Sequence, residues 1–278
     1  MTSQCSNEPR EPTGDDHYIP DLRNAHLDLS SFHSDAEVLV KEYRALGFKD
    51  AELVEGLYSQ VLKRVDKKIY EPDEDDLICR YLTPGKFLWF CADKSLHFSS
   101  PSKFDDPKEC SVHEDYEWEI ERILIDKEIN PATWDVYSAA KAQEWLISCW
   151  TKLDDHDDDI LLWHKYADGP TGVGITVRYG HLKAYLKELV PVQAVDDLIL
   201  SGSVEYGPRI CLPPFNKRRI FRNEKEVRFA FRHLQFRSSE QFNVGDAFSI
   251  FRLRLAPDAP PHHEKAICEL WSKCGGTN

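Results

Sequence analysis

Apolar and polar positions repeat along this chain in two rhythms, and the change between them falls near residue 77. Ser34-Asp35-Ala36-Glu37 has the form of a capping box, and Val38, Leu39, Tyr43 and Leu46 continue at helical spacing up to Gly47. Behind Asp50, Leu53, Val54, Leu57, Val61 and Leu62 share one helical face, which predicts a second helix from 51 to about 65. The two form a predicted N-terminal helical hairpin over 34–70, joined to the rest of the chain by the acidic linker Glu71-Pro72-Asp73-Glu74-Asp75-Asp76. Residues 1–33 are rich in Pro, Asp, Asn and Ser and keep no period, so they read as a flexible arm.

Beyond the linker the apolar residues come in short runs, at 77–82, 96–99, 146–151, 172–178, 227–233 and 248–255, and these read as strands. In the last two, Val227, Phe229, Phe231 and Leu253, Leu255 alternate with Arg228, Arg232 and Arg252, Arg254, as in a sheet with one buried face. Helical patterns fall between the strands at about 114–128, 133–144, 158–167 and 180–189. The expected fold class is therefore α+β, with a mixed or antiparallel sheet core and flanking helices. It occupies 77–255 as the main domain, with 256–278 left as a C-terminal tail.

Composition narrows the class without changing this outline. The 278 residues are 41% hydrophobic and 30% charged, ordinary for a chain that buries its own core, and no apolar run approaches the roughly 18 residues needed to cross a bilayer. Residues 1–12 are polar and show no targeting pattern, so the expected location is the cytoplasm. Eight cysteines without a C-x-x-C pair fit reduced, mostly buried thiols. A formal charge of −13 argues against a general nucleic-acid coat, which gains affinity by neutralising phosphates.

Several constellations have both a chemical and a plain reading. The run Asp154-Asp155-His156-Asp157-Asp158-Asp159 could hold a divalent cation, but it lacks the alternating ligands, central Gly and distal Glu of a calcium loop, and a capped helix start explains it as well. Cys110 and His113 with His262, His263, Cys268 and Cys274 lack the paired spacing of a structural zinc site. Cys149, in an expected buried strand, reads as an inert thiol more readily than as a nucleophile. From Arg209 to Arg237 the chain carries nine Lys and Arg against Glu224 and Glu226, which makes either a phosphate-binding patch or a set of partners for surface acids. In Glu224-Lys225-Glu226-Val227-Arg228, an extended backbone would point the two carboxylates the same way, a geometry that can stabilise developing positive charge.

Three blocks, in order, carry a resemblance over about 77–233. Arg80-Tyr81-Leu82, then Leu96-His97-Phe98-Ser99-Ser100-Pro101-Ser102-Lys103-Phe104-Asp105-Asp106-Pro107-Lys108-Glu109, comes first. Ser148-Cys149-Trp150, Leu162-Trp163-His164-Lys165-Tyr166-Ala167 and Gly172-Val173-Gly174-Ile175 are the second, and Glu224-x-Glu226-x-Arg228 the third. Together they resemble a bacterial family known only as a domain of unknown function, with its Phe-Asn-Asp-Pro-x-Glu, Trp-Ser-His-Tyr-Ala and Glu-x-Glu-x-Arg motifs. Asp105 stands where Asn is usual, and His164-Lys165 replaces the Ser-His pair.

A second resemblance is to the layout of ADP-ribosyltransferases: a basic side chain on the first core strand, a Phe-Ser strand, and a Glu-x-Glu before a late strand. It implies that Arg80 holds NAD phosphate or ribose, that Ser99 or Tyr81 contacts the nicotinamide ribose with Arg228 alongside, and that Glu226, with Glu224, is the catalytic carboxylate. The expected function is then an NAD-using ADP-ribosyltransferase or NAD glycohydrolase of the toxin or phage-defence type, with a protein or nucleic-acid acceptor. An antitoxin or a second copy would meet the N-terminal hairpin, and no membrane would be involved. The competing expectations are a non-catalytic binding or effector-scaffold protein and, third, a metal-dependent nuclease built on the Asp-rich loop.

Overall fold

A computed structural model describes residues 50–64, 68–106, 108–110, 114–154, 160–189, 199–206, 212–232 and 238–277. The expected arm over 1–33 and the first helix of the hairpin lie outside these residues. The second helix is present as α1 (Asp50–Arg64), and Leu53, Val54 and Leu57 of its predicted stripe are buried, 0–1% exposed. They pack with Ile120, Ile123 and Leu124 of α3 (Glu114–Asp126) and Trp134 of α4 (Ala132–Ala142), so three helices share a core of their own.

The main element is an eight-stranded antiparallel sheet, and the protein is α+β. Its central strands are β1 (Leu77–Leu82), β3 (Trp145–Lys152), β4 (Val173–Arg178) and β6 (Glu226–Arg232), with β5 (Leu200–Ser203) and β8 (Arg252–Leu255) outermost in the order β5-β6-β3-β1-β4-β8. A second arm is made by β2 (Ser95–Ser99) and β7 (Ser239–Asn243). The sheet forks because β3 shares one edge between two strands: Thr151 and Lys152 pair with β1, while Ile147 pairs with Ser99 of β2.

Helices cover both faces. On one, Phe87 and Phe90 of α2 (Pro84–Asp93), Leu182 and Leu186 of α6 (Tyr179–Leu189), and Ile267 and Trp271 of α7 (Pro261–Lys273) close over Ile78, Phe98, Trp150, Val227 and Phe229. The 256–278 segment, expected as a tail, therefore contains a core helix whose Trp271 is fully buried. On the other face, Leu162 and Trp163 of α5 (Ile160–Tyr166) lie on Cys79 and Tyr81, and Ala142 and Phe215 lie on Ile147 and Ala230. Gly174 makes room there: a Cβ at this position would stand 3.2 Å from Trp163 Cη2 and 3.0 Å from Cys79 Sγ. No helix among the described residues is long and apolar enough to cross a membrane.

Candidate functional site

Strand register decides which predicted residues can act together. Thr151 on β3 faces both Glu226 on β6 and Cys79 on β1, so Cys79 and Glu226 share a row and a face. Arg80 is the next residue and turns to the opposite face, beside Ile78 and Leu82. Arg80 and Glu226 therefore do not meet in one cleft. Tyr81 and Ser99 lie on the Glu226 face, but Tyr81 is 8% exposed and edge-on to Trp163 at 4.9 Å between ring centroids. Ser99 pairs with Ile147, four residues along β3 from Thr151 and so about 13 Å from the Glu226 row.

On the Glu226 face the structure builds a buried ion network. Arg228 is 0% exposed; its Nε and Nη2 donate to the two Glu226 oxygens at 2.9 and 3.0 Å, and Nη2 also donates to Glu109 at 2.5 Å. Its Nη1 donates to the Pro214 carbonyl at 2.8 Å. Lys217 Nζ bridges Glu226 and Glu224 at 2.8 and 2.7 Å and reaches Glu109 at 3.7 Å. Glu224 accepts further hydrogen bonds from Lys165 at 2.5 Å and Tyr166 at 2.6 Å. Glu109, Glu224 and Glu226 thus stand against Lys165, Lys217 and Arg228, three negative charges to three positive.

The two carboxylates of the Glu-x-Glu segment do converge, though the backbone between them is not extended. Glu224 closes a 3-10 turn (Arg219–Glu224), Lys225 takes a left-handed conformation at φ 43°, and Glu226 opens β6. Lys217 joins the two from the side. Burial alone would push the Glu226 carboxyl up; the Arg228 guanidinium and the Lys217 ammonium outweigh it and, with the Cys149 thiol donating a hydrogen bond, hold it at about 2. Glu224 is likewise held below the usual range, burial being outweighed by Lys217, Lys165 and Tyr166. Burial pushes the Cys149 thiol well up, with Glu226 adding to it, which fits an inert thiol.

Most of the basic stretch is used internally. Besides Lys217 and Arg228, Arg218 grips Asp106 through two hydrogen bonds at 2.8 and 3.0 Å, Arg232 pairs with Glu144, and Lys225 pairs with Asp154. Asp154 is the described part of the Asp-rich run; 155–159 lie outside the described residues. Three of the sequence blocks meet in this network: Glu109 from the first, Lys165 and Tyr166 from the second, and Glu224, Glu226 and Arg228 from the third. Lys217 is legible in the sequence only as one cation of the basic stretch, and Tyr206, whose hydroxyl accepts from the Glu226 N–H at 2.9 Å, carries no local signal.

The opposite face has a different electrostatic character. Arg80 spans the fork between β1 and β2, donating from Nη1 to Ser148 Oγ at 3.0 Å and from Nη2 to the His97 carbonyl at 2.9 Å. Ser148, 1% exposed, also accepts from Trp150 Nε1 at 3.0 Å and so anchors the guanidinium. Among the described residues no carboxylate pairs with Arg80, and burial lowers its pKa. His97 is pulled down by its partial burial and by the positive charges of Arg80 and Lys86, the latter in the first turn of α2. The His97 imidazole itself, two residues before Ser99, turns to the Glu226 face, and no acid among the described residues pairs with Arg80.

Set against protein-family models, curated proteins and solved structures, the chain matches none of them.

Proposed function

We propose that this chain is a binding or effector-scaffold protein that captures a phosphate-bearing ligand at the Arg80 fork, while the Glu226 network holds the fold. NAD is the first candidate ligand, from the resemblance that singled out Arg80. The observation that carries the reading is the register: Arg80 and Glu226 are one residue out of phase on opposite faces. A carboxylate already neutralised by Arg228 and Lys217 also has little charge left to stabilise an oxocarbenium-like sugar. A guanidinium fixed by Ser148 and the His97 carbonyl, with N–H donors beyond those two bonds and no acid paired to it among the described residues, has the makings of an anion site.

A second reading, an NAD-using ADP-ribosyltransferase, is favoured by the meeting of three motif blocks around Glu224, whose partners Lys165 and Tyr166 reach the surface. Release of nicotinamide from NAD, with and without cell lysate as acceptor source, separates the two. The binding reading expects no release above a no-protein control. Turnover by wild type that disappears in Glu226→Gln would replace it with the enzyme reading.

A further inference from the structure

Two thiols that the proposed function does not use lie together at the far end of α2. Phe90 of α2 stacks on Trp271 of α7 with ring centroids 6.4 Å apart, and Phe87 stands 6.0 Å from the same ring. Cys91 is the residue after Phe90, and Cys274 caps α7 just beyond Trp271. Cys274 packs against the core cluster that contains Cys91, and the two side chains act on each other. The next residues are neighbours as well: the side chain of Lys94, the C-cap of α2, reaches Gly275, its Nζ 3.9 Å from where a Cβ on that glycine would be. Both cysteines are free, Cys91 is 4% exposed, and Cys274 is partly open to solvent.

We infer that Cys274 and Cys91 are an oxidation site, in which hydrogen peroxide converts the thiol pair into a disulfide that ties α7 to α2. Cys274 is the sulfur a small oxidant reaches. Its thiolate, after giving its proton to water, attacks one peroxide oxygen; the O–O bond breaks, hydroxide leaves and is protonated, and Cys274 becomes a sulfenic acid. Cys91 Sγ then attacks Cys274 Sγ, the S–O bond breaks, and the Cys91 proton leaves with that oxygen as a second water. Two thiols lose two electrons and one peroxide is reduced to two waters. Burial pushes the Cys91 thiol up to about 12, which suits a partner that waits for the sulfenic acid rather than meeting the oxidant itself.

The bond would close the loop from Cys91 to Cys274 and fasten the 256–278 segment to a helix that joins the two strands of the fork. Chain-entropy arguments for so long a loop imply a rise in melting temperature of about 5 °C or more. The test is peptide mapping after brief peroxide treatment of the full chain, with tryptic digestion carried out without reductant. The expected product is the 87–94 peptide joined to the peptide that begins at Cys274, with a higher melting temperature that dithiothreitol reverses. Cys91→Ser and Cys274→Ser should each lose both the cross-link and the rise. Sulfinate at Cys274 without a cross-link, or a cross-link to any other cysteine, overturns the assignment, and the wild-type map alone decides this if a variant fails to fold.

Discussion

Around Glu226 three carboxylates and three cations close on one another, whereas the Arg80 guanidinium is held by two neutral acceptors with no carboxylate paired to it among the described residues. Both regions sit on the same sheet, within one strand-pair row of each other. A buried pair that is already satisfied offers a ligand nothing it does not have to take from a neighbour, so it acts on the fold. A cation held by neutral acceptors keeps its charge for something else. On the proposed reading, this contrast gives the Glu226 face a structural part and leaves the Arg80 guanidinium to recognition.

The largest expected effect comes from breaking the closed side. Arg228→Leu leaves Glu226 and Glu109 buried without their main partner and should cost about 3–5 kcal/mol, read as a fall in the urea midpoint. Acid should act on the same network. Glu226 has a folded-state pKa of about 2, below its unfolded value, so its contribution is fully present above the unfolded pKa of about 4.5 and is lost as pH falls towards 2. That contribution is about 3 kcal/mol. In Glu226→Gln the stability lost between pH 4.5 and 2 should shrink accordingly, measured by denaturant melts across that range.

Next in size is the fork. Arg80→Ala removes two hydrogen bonds but also a desolvated, unbalanced cation, and Ser148 keeps its bond from Trp150; the net stability change should be about 1 kcal/mol or less in the same urea melts. Smallest is the exposed rim. Asp154→Asn removes the pair with Lys225, whose side chains are 48% and 42% exposed, and should shift stability by less than about 1 kcal/mol at low salt and by nothing measurable at high salt. An Arg80→Ala loss as large as that of Arg228→Leu would erase the distinction between the two faces.

Much of the fold is legible in the chain, and the failures have physical causes. Strands β1, β3, β4 and β6 are apolar runs flanked by turns, and α1 shows its stripe at Leu53, Val54 and Leu57. Helix α2 escapes the periodicity because Pro84-Gly85 looks like a turn and Phe87-Leu88-Trp89-Phe90-Cys91 is apolar all round; Pro84 instead starts the helix behind the Thr83 cap. Helix α7 hides behind Pro260-Pro261-His262-His263 in the same way, with Pro261 in its first turn. Strands β5, Leu-Ser-Gly-Ser, and β7, Ser-Glu-Gln-Phe-Asn, are too polar and short to announce themselves.

At the site, the pairing of Glu226 with Arg228 could be expected from their spacing of two on a strand. Glu109 closes the first motif block, yet its partner Arg228 is 119 residues away, a contact that only the folded sheet supplies. The face on which Arg80 falls is equally out of reach, because one residue of register reverses it.

The most direct test is calorimetric titration of NAD, and in parallel of inorganic pyrophosphate, into wild type, Arg80→Ala and Glu226→Gln at neutral pH, each confirmed folded by circular dichroism. The two-face account predicts that wild type and Glu226→Gln bind alike and that Arg80→Ala loses at least about tenfold in affinity, the worth of a charge-assisted contact. Binding that survives in Arg80→Ala and disappears in Glu226→Gln would contradict it.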